Sequence, residues 1–102
     1  MLELRPNCEL CDKDLPPEST EACICTYECT FCSNCVNTVL DNVCPNCGGG
    51  LASRPIRPKT ERRPGVSLLH DPASTNRVHT KYSKEEISEF CSTAINIKPE
   101  DR

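Results

Sequence analysis

Apolar residues recur at helical spacing in two places along this chain. Val36, Val39 and Leu40 predict a short helix with one buried side. Ile87, Phe90, Cys91, Ala94 and Ile95 line one face of a second helix over residues 83–97. Ser83 and Glu86 have the spacing of a capping box at its start, and Tyr82 with Ile87 that of a hydrophobic staple. Pro99 supplies the stop. A lone helix of this length is marginal in water. Its apolar face therefore calls for a surface: the N-terminal half of the chain, a second copy, or a partner protein. Between the helices the pattern gives out. Residues 54–64 carry three prolines, which prevent helix and favour extended chain. Residues 65–80 show no period and predict irregular chain, with Asp71-Pro72 as a turn. No internal repeat of domain size is present.

The chain thus divides into 1–53, a cysteine-rich module; 54–80, a Pro/Arg-rich extended arm and irregular linker; and 81–102, an amphipathic C-terminal helix. Of 102 residues only 36% are hydrophobic, with two Phe, two Tyr and no Trp. A core this poor supplies only about 3–5 kcal/mol in a domain below roughly 70–80 residues, so covalent or metal staples are expected. The cysteines provide them. Eight fall into four close pairs, Cys8/Cys11, Cys25/Cys29, Cys32/Cys35 and Cys44/Cys47. Two thiolates from one tight turn reach the same ion, and a tetrahedral zinc takes four ligands, so four pairs make two complete sites. Disulfides would be the alternative staple in an oxidising compartment. Met1–Pro6 holds no apolar run of signal-peptide length, and no stretch approaches a membrane span. The expectation is a cytoplasmic protein with reduced thiols, two zinc ions and no membrane.

Other chemistries are weaker. Cys29, Cys32, Cys35 and Cys44-Pro45 suggest ferredoxin-type ligation, but eight residues stand where the bacterial run has three, and one cluster would orphan four paired thiols. A catalytic zinc keeps an open position and favours His or carboxylate ligands. Eight thiols can close both sites, and His70 and His79 lie far along the chain, where solvated loop positions are expected. No nucleophilic triad can be assembled. Gly48-Gly49-Gly50 follows the last ligand and is expected to turn amides toward sulfur; no strand–glycine–helix context makes it a phosphate loop. Cys91 reads as a small hydrophobe. Cys23 reads as a spare thiol, although its place two residues before Cys25 also makes it an alternative ligand.

Charge is uneven. Residues 1–53 carry eight acids and two bases, net −6, and residues 54–102 net +3. Eight thiolates on two divalent ions deepen the negative charge of the module, which should repel nucleic acid. Arg54, Arg57, Lys59, Arg62 and Arg63 either fold back to screen the thiolates or form an arm for an acidic partner.

Several local sequences carry a resemblance. Leu10 before the second ligand, Phe31-Cys32-Ser33-Asn34-Cys35 and Cys44-Pro45-Asn46-Cys47, with the ligand spacing, resemble the RING finger family; Cys29 stands where most RINGs use His. The resemblance implies crossed pairing: Cys8, Cys11, Cys32 and Cys35 on one zinc, and Cys25, Cys29, Cys44 and Cys47 on the other. Sequential pairing remains open from the spacing alone. Leu4-Arg5-Pro6-Asn7-Cys8, Asp14-Leu15-Pro16-Pro17, Glu28-Cys29-Thr30-Phe31-Cys32 and Val43–Gly49 resemble a narrower family of small, mostly bacterial proteins, domain of unknown function 1272, over about residues 2–58. That likeness implies zinc binding in a bacterial cytoplasm and no particular activity.

The expected fold is a small zinc-stabilised α+β structure: a RING-like crossed two-zinc module with short hairpins and one short helix, plus the C-terminal helix. The expected function is a non-enzymatic zinc-binding module that mediates protein interaction. A RING-type ubiquitin ligase is the enzymatic alternative. Leu10 and Pro45 suit it, but residues 36–43 lack the aromatic, and Gly48 replaces the basic residue after the last ligand. A nucleic-acid-associated role through residues 54–63 is the third.

Overall fold

A computed structural model describes residues 1–102. Its regular elements are few and short, as the weak periodicity dictates. Strands β1 (Ala22–Ile24) and β2 (Thr30–Cys32) form an antiparallel hairpin, with Cys23 opposite Phe31. Glu28 makes the turn possible by adopting a left-handed conformation (φ 68°), its amide donating to the Cys25 carbonyl at 3.1 Å. A two-residue strand β3 (Ala52–Ser53) pairs with the other edge of β1, giving the order β2-β1-β3. Phe31 is fully buried at the centre, among Leu15, Ala22, Leu40, Val43 and the cysteines. The protein is a small α+β structure.

Helix α1 (Ser33–Cys35) begins on Cys32, whose sulfur accepts from the Cys35 amide, and widens at once into a π-helical turn over Val36–Leu40. The Asn42 amide reaches back to the Val36 carbonyl at 3.1 Å. This widening changes which predicted apolar residues are buried. Val36 and Leu40 enter the core, Leu40 completely, whereas Val39 is left 43% exposed.

Helix α2 spans Lys84–Ser92, shorter than the expected 83–97. The capping box forms as expected: the Glu86 amide donates to Ser83 Oγ at 3.2 Å, and the Ser83 amide to Glu86 Oε1 at 3.1 Å. The far end tightens because Ser92 and Thr93 hydroxyls donate back to the Glu89 and Phe90 carbonyls, both at 2.6 Å. Such local bonds compete with the helical ladder. Ile87 and Cys91 are buried in the cysteine-lined core, with Tyr82 and Ala94 packed against it. Phe90 and Ile95, placed on the same face by periodicity, remain about two-fifths exposed. A short 3-10 turn, Pro99–Asp101, ends the chain.

Residues 54–80 have little regular structure, but they are fastened along the module. The Ser74 amide donates to the Leu4 carbonyl (3.0 Å) and the Thr80 amide to the Glu9 carbonyl (2.9 Å). Asn7, fully buried, donates to the Val78 carbonyl (2.8 Å) and accepts from the Val78 amide (3.2 Å). One side chain thereby satisfies both backbone groups of a residue 71 positions away. The segment expected as an extended arm and irregular linker thus runs along the module. Buried backbone and side-chain polar groups near the N-terminus need partners, and the passing chain supplies them.

Candidate metal centres

Two of the cysteine pairs are built alike. The Asp12 amide donates to the Cys8 carbonyl (2.9 Å), and the Cys8 amide to the Lys13 carbonyl (2.8 Å). The same bonds recur from Gly48 to Cys44 (2.7 Å) and from Cys44 to Gly49 (2.9 Å). In both knuckles the residue after the second cysteine is left-handed, Asp12 at φ 66° and Gly48 at φ 82°. Glycine adopts this without penalty, and Asp is among the few side chains that tolerate it. The turn swings both sulfurs to one side of the backbone. Amides then approach sulfur: Tyr27 to Cys25 (3.3 Å), Gly49 to Cys47 (3.4 Å) and Cys35 to Cys32 (3.5 Å). Of the glycine run, Gly49 turns its amide to sulfur as expected, while Gly48 spends its amide on a carbonyl.

The chain brings the Cys8/Cys11 knuckle against the start of α1. The sulfurs of Cys8, Cys11, Cys32 and Cys35 all lie within 4.8 Å of one another. Cys11 and Cys32 are 3.7 Å apart. Tetrahedral thiolates with metal–sulfur bonds of about 2.3 Å space their sulfurs roughly 3.8 Å apart, so the set fits a four-coordinate ion. All ten cysteines are free thiols.

The sulfurs of Cys25, Cys44 and Cys47 form a second set within the same limit. Cys29, expected with them, stands outside this closest set. It borders Cys25 and Cys44, and hydrogen bonds from Cys44 and then Asn46 hold its thiolate down to about 5. Cys44 is correspondingly pushed up, first by sharing its proton with Cys29 and then by burial. Burial pushes Cys25 up to about 11. Crowded thiols thus share protons that a divalent cation would displace, since ligating thiols are deprotonated. The two sets can each hold a metal ion.

The remaining candidates lie elsewhere. Half-buried Cys23 belongs to neither set; its thiol faces the Glu21 carbonyl at 3.9 Å. Buried Cys91 directs its thiol to the Val43 carbonyl (3.7 Å). Exposed His70 pairs with Glu61 (2.8 Å), and His79 lies 3.7 Å from Asp12. Asp12 and Asp14 are bridged by Arg77 at 2.8 and 2.7 Å, and this contact with Arg77 holds the Asp12 carboxyl below its usual range.

The basic segment does fold back, but onto carbonyls rather than thiolates. Arg54, only 4% exposed, donates to the carbonyls of Arg5 (2.8 Å), Leu15 (3.2 Å) and Pro16 (3.0 Å). Arg57 donates to Leu2 (2.7 Å) and Asp71 (2.8 Å). A guanidinium fork suits this work because its donors diverge in a fixed plane. Cations beside the paired cysteines include Arg5, beside Cys29, and Lys13, beside Cys32 and Cys11.

Sequence reasoning missed Glu9. Its carboxylate is buried, accepting from the Thr30 amide (2.6 Å), Arg5 Nη1 (2.9 Å) and Asn46 Nδ2 (3.4 Å). Burial pushes its pKa up against the pull of Thr30 and Arg5. It ties the first knuckle, the β-hairpin and the last knuckle together. Nothing in a lone acid between Cys8 and Leu10 signals this: Arg5 is four residues away, but Thr30 and Asn46 are brought to it only by tertiary structure.

No helix is long and apolar enough to cross a membrane. A family model described as "Protein of unknown function (DUF1272)" matches residues 1–57, the cysteine module and the first clamp arginines. Over 78 residues the chain is 58% identical to an uncharacterized protein of Rhizobium meliloti, covering 76% of this chain and 86% of that relative. No solved structure matches.

Proposed function

We propose, for a chain that belongs to the DUF1272 family of proteins of unknown function, a non-enzymatic module that two structural zinc ions hold together and that serves protein interaction. The observation that carries this reading is the convergence of four thiols from distant parts of the chain to within 4.8 Å. Thiolate-only sets favour zinc over the hard cations that prefer oxygen. Four thiolates also close the coordination shell, which suits a structural role rather than Lewis-acid chemistry. Crossed, RING-like pairing accounts for the first set and for three members of the second. Cys29, which borders Cys25 and Cys44, is the fourth ligand of the second site in this reading.

Two features weigh against the alternatives. A RING-type ubiquitin ligase needs its last-knuckle proline open to a carrier enzyme, and Pro45 is buried. It shares a cavity with Tyr82, Ile87 and Phe90 of the C-terminal segment. Nucleic-acid binding through residues 54–63 loses Arg54 and Arg57 to backbone carbonyls.

Elemental analysis of protein purified without added metal tests the proposal. Two zinc per chain, all thiols reduced, is the expected result. Iron, no metal, or thiols oxidised to one another would overturn it.

A further inference from the structure

The geometry points to the cleft between the last cysteine knuckle and α2 as a docking site for a cationic, apolar-flanked segment of a partner polypeptide. This rests on the interaction reading above and gives it a place and a chemistry. The cleft has a volume of about 390 Å³ and is lined by Pro45, Asn46, Tyr82, Ile87, Phe90 and Thr93, with Glu86 and Glu89 among them. No basic residue lines it. Phe90 is 40% exposed although its helix face is otherwise turned into the core. Ile95 and Ile97, further along the chain, are each 41% exposed.

Charge selects the occupant. Glu86 accepts from the Ser83 amide at the helix start, and the residue stays exposed. Glu89 is exposed and makes no ion pair. Beneath them, Pro45 and Asn46 lie between Cys44 and Cys47 and bring no positive charge. Lys81 Nζ already lies 5.4 Å from the Tyr82 ring centroid, which shows that a cation is accepted at this edge; the Phe90 ring and the Glu86 and Glu89 carboxylates fit a further ammonium or guanidinium carried on apolar flanks. A second copy placing its own α2 symmetrically here would bring Glu86 and Glu89 against their equivalents, and like charges at an interface cost binding.

Fluorescence anisotropy with short labelled peptides tests the assignment on the full chain, with metal content read on the same samples. The probes are an alternating Lys/Leu peptide, its Glu/Leu counterpart and a Lys/Ser peptide. Saturable binding of Lys/Leu alone is expected. Glu89→Lys, a surface change that spares the fold, should weaken it at least tenfold, as should Phe90→Ala; Glu18→Lys should not. No saturable binding, equal affinity in Glu89→Lys, equal binding of Glu/Leu, or a dimer by sedimentation whose cleft is filled by its mate would overturn the proposal. Metal-loaded protein blind to every peptide fails the cleft alone. Metal-free protein that still binds Lys/Leu fails the zinc reading alone.

Discussion

The sulfur of Cys11 stands 3.7 Å from the sulfur of Cys32, 21 residues further along the chain. That separation suits two corners of a metal–thiolate tetrahedron, and it joins the N-terminal knuckle to the start of α1. In a module whose strands have two or three residues, such a junction stands in for a larger core. A structural zinc bound there would contribute its binding free energy, on the order of 10–16 kcal/mol, as folding free energy.

Replacing a thiol of this junction should therefore cost both metal and fold. Cys32→Ser is expected to lose one metal per chain and the cooperative unfolding transition, read by elemental analysis and circular dichroism. Cys23→Ser, outside both sets, should keep the full metal content. Chelator should unfold the parent protein. Acid should do the same, because falling pH protonates the thiolates that the metal requires. Stability is thus present at neutral pH and lost as protons compete for sulfur.

Cys29 offers a sharper test of the second centre. It borders Cys25 and Cys44 without joining the closest set. Cys29→Ser should leave the first metal untouched and make the second easier to strip with chelator. Cys44→Ser, at the centre of that thiol contact, should abolish the second site altogether. Equal chelator sensitivity of parent and Cys29→Ser would remove Cys29 from the ligand set.

Arg54 acts as a clamp rather than a screening charge. Arg54→Lys keeps the charge but loses the fork that reaches three carbonyls. Leaving such carbonyls without donors should cost roughly 2–4 kcal/mol. Urea denaturation at fixed metal concentration measures it. A loss close to zero would mean that charge alone matters there.

The C-terminal helix is part of the core through Ile87. Ile87→Ala should destabilise the metal-loaded protein by about 2–5 kcal/mol, as for other large-to-small core changes. Phe90→Ala, three residues on and far more exposed, should cost much less. Thermal unfolding of the two variants side by side distinguishes them.

Much of the site was legible because its signals are local. Paired cysteines two or three residues apart need only one turn to present both sulfurs to one ion. The Ser83–Glu86 capping box spans a single helical turn, and Gly48 marks a left-handed position that favours its residue type. Asp12 fills the equivalent position in the first knuckle without the glycine that would advertise it.

What the sequence determined by itself was the inventory of donors and the start of α2, because those depend on neighbours within a few residues. Tertiary structure alone decided which knuckles face one another and that Glu9 and Arg54 are interior. It also decided that residues 54–80 lie along the module. The physical reason is that buried groups such as Glu9 and Arg54 are satisfied by residues far along the chain, Thr30 and Asn46 for the one and the Arg5 and Leu15 carbonyls for the other, and no local pattern encodes those partners.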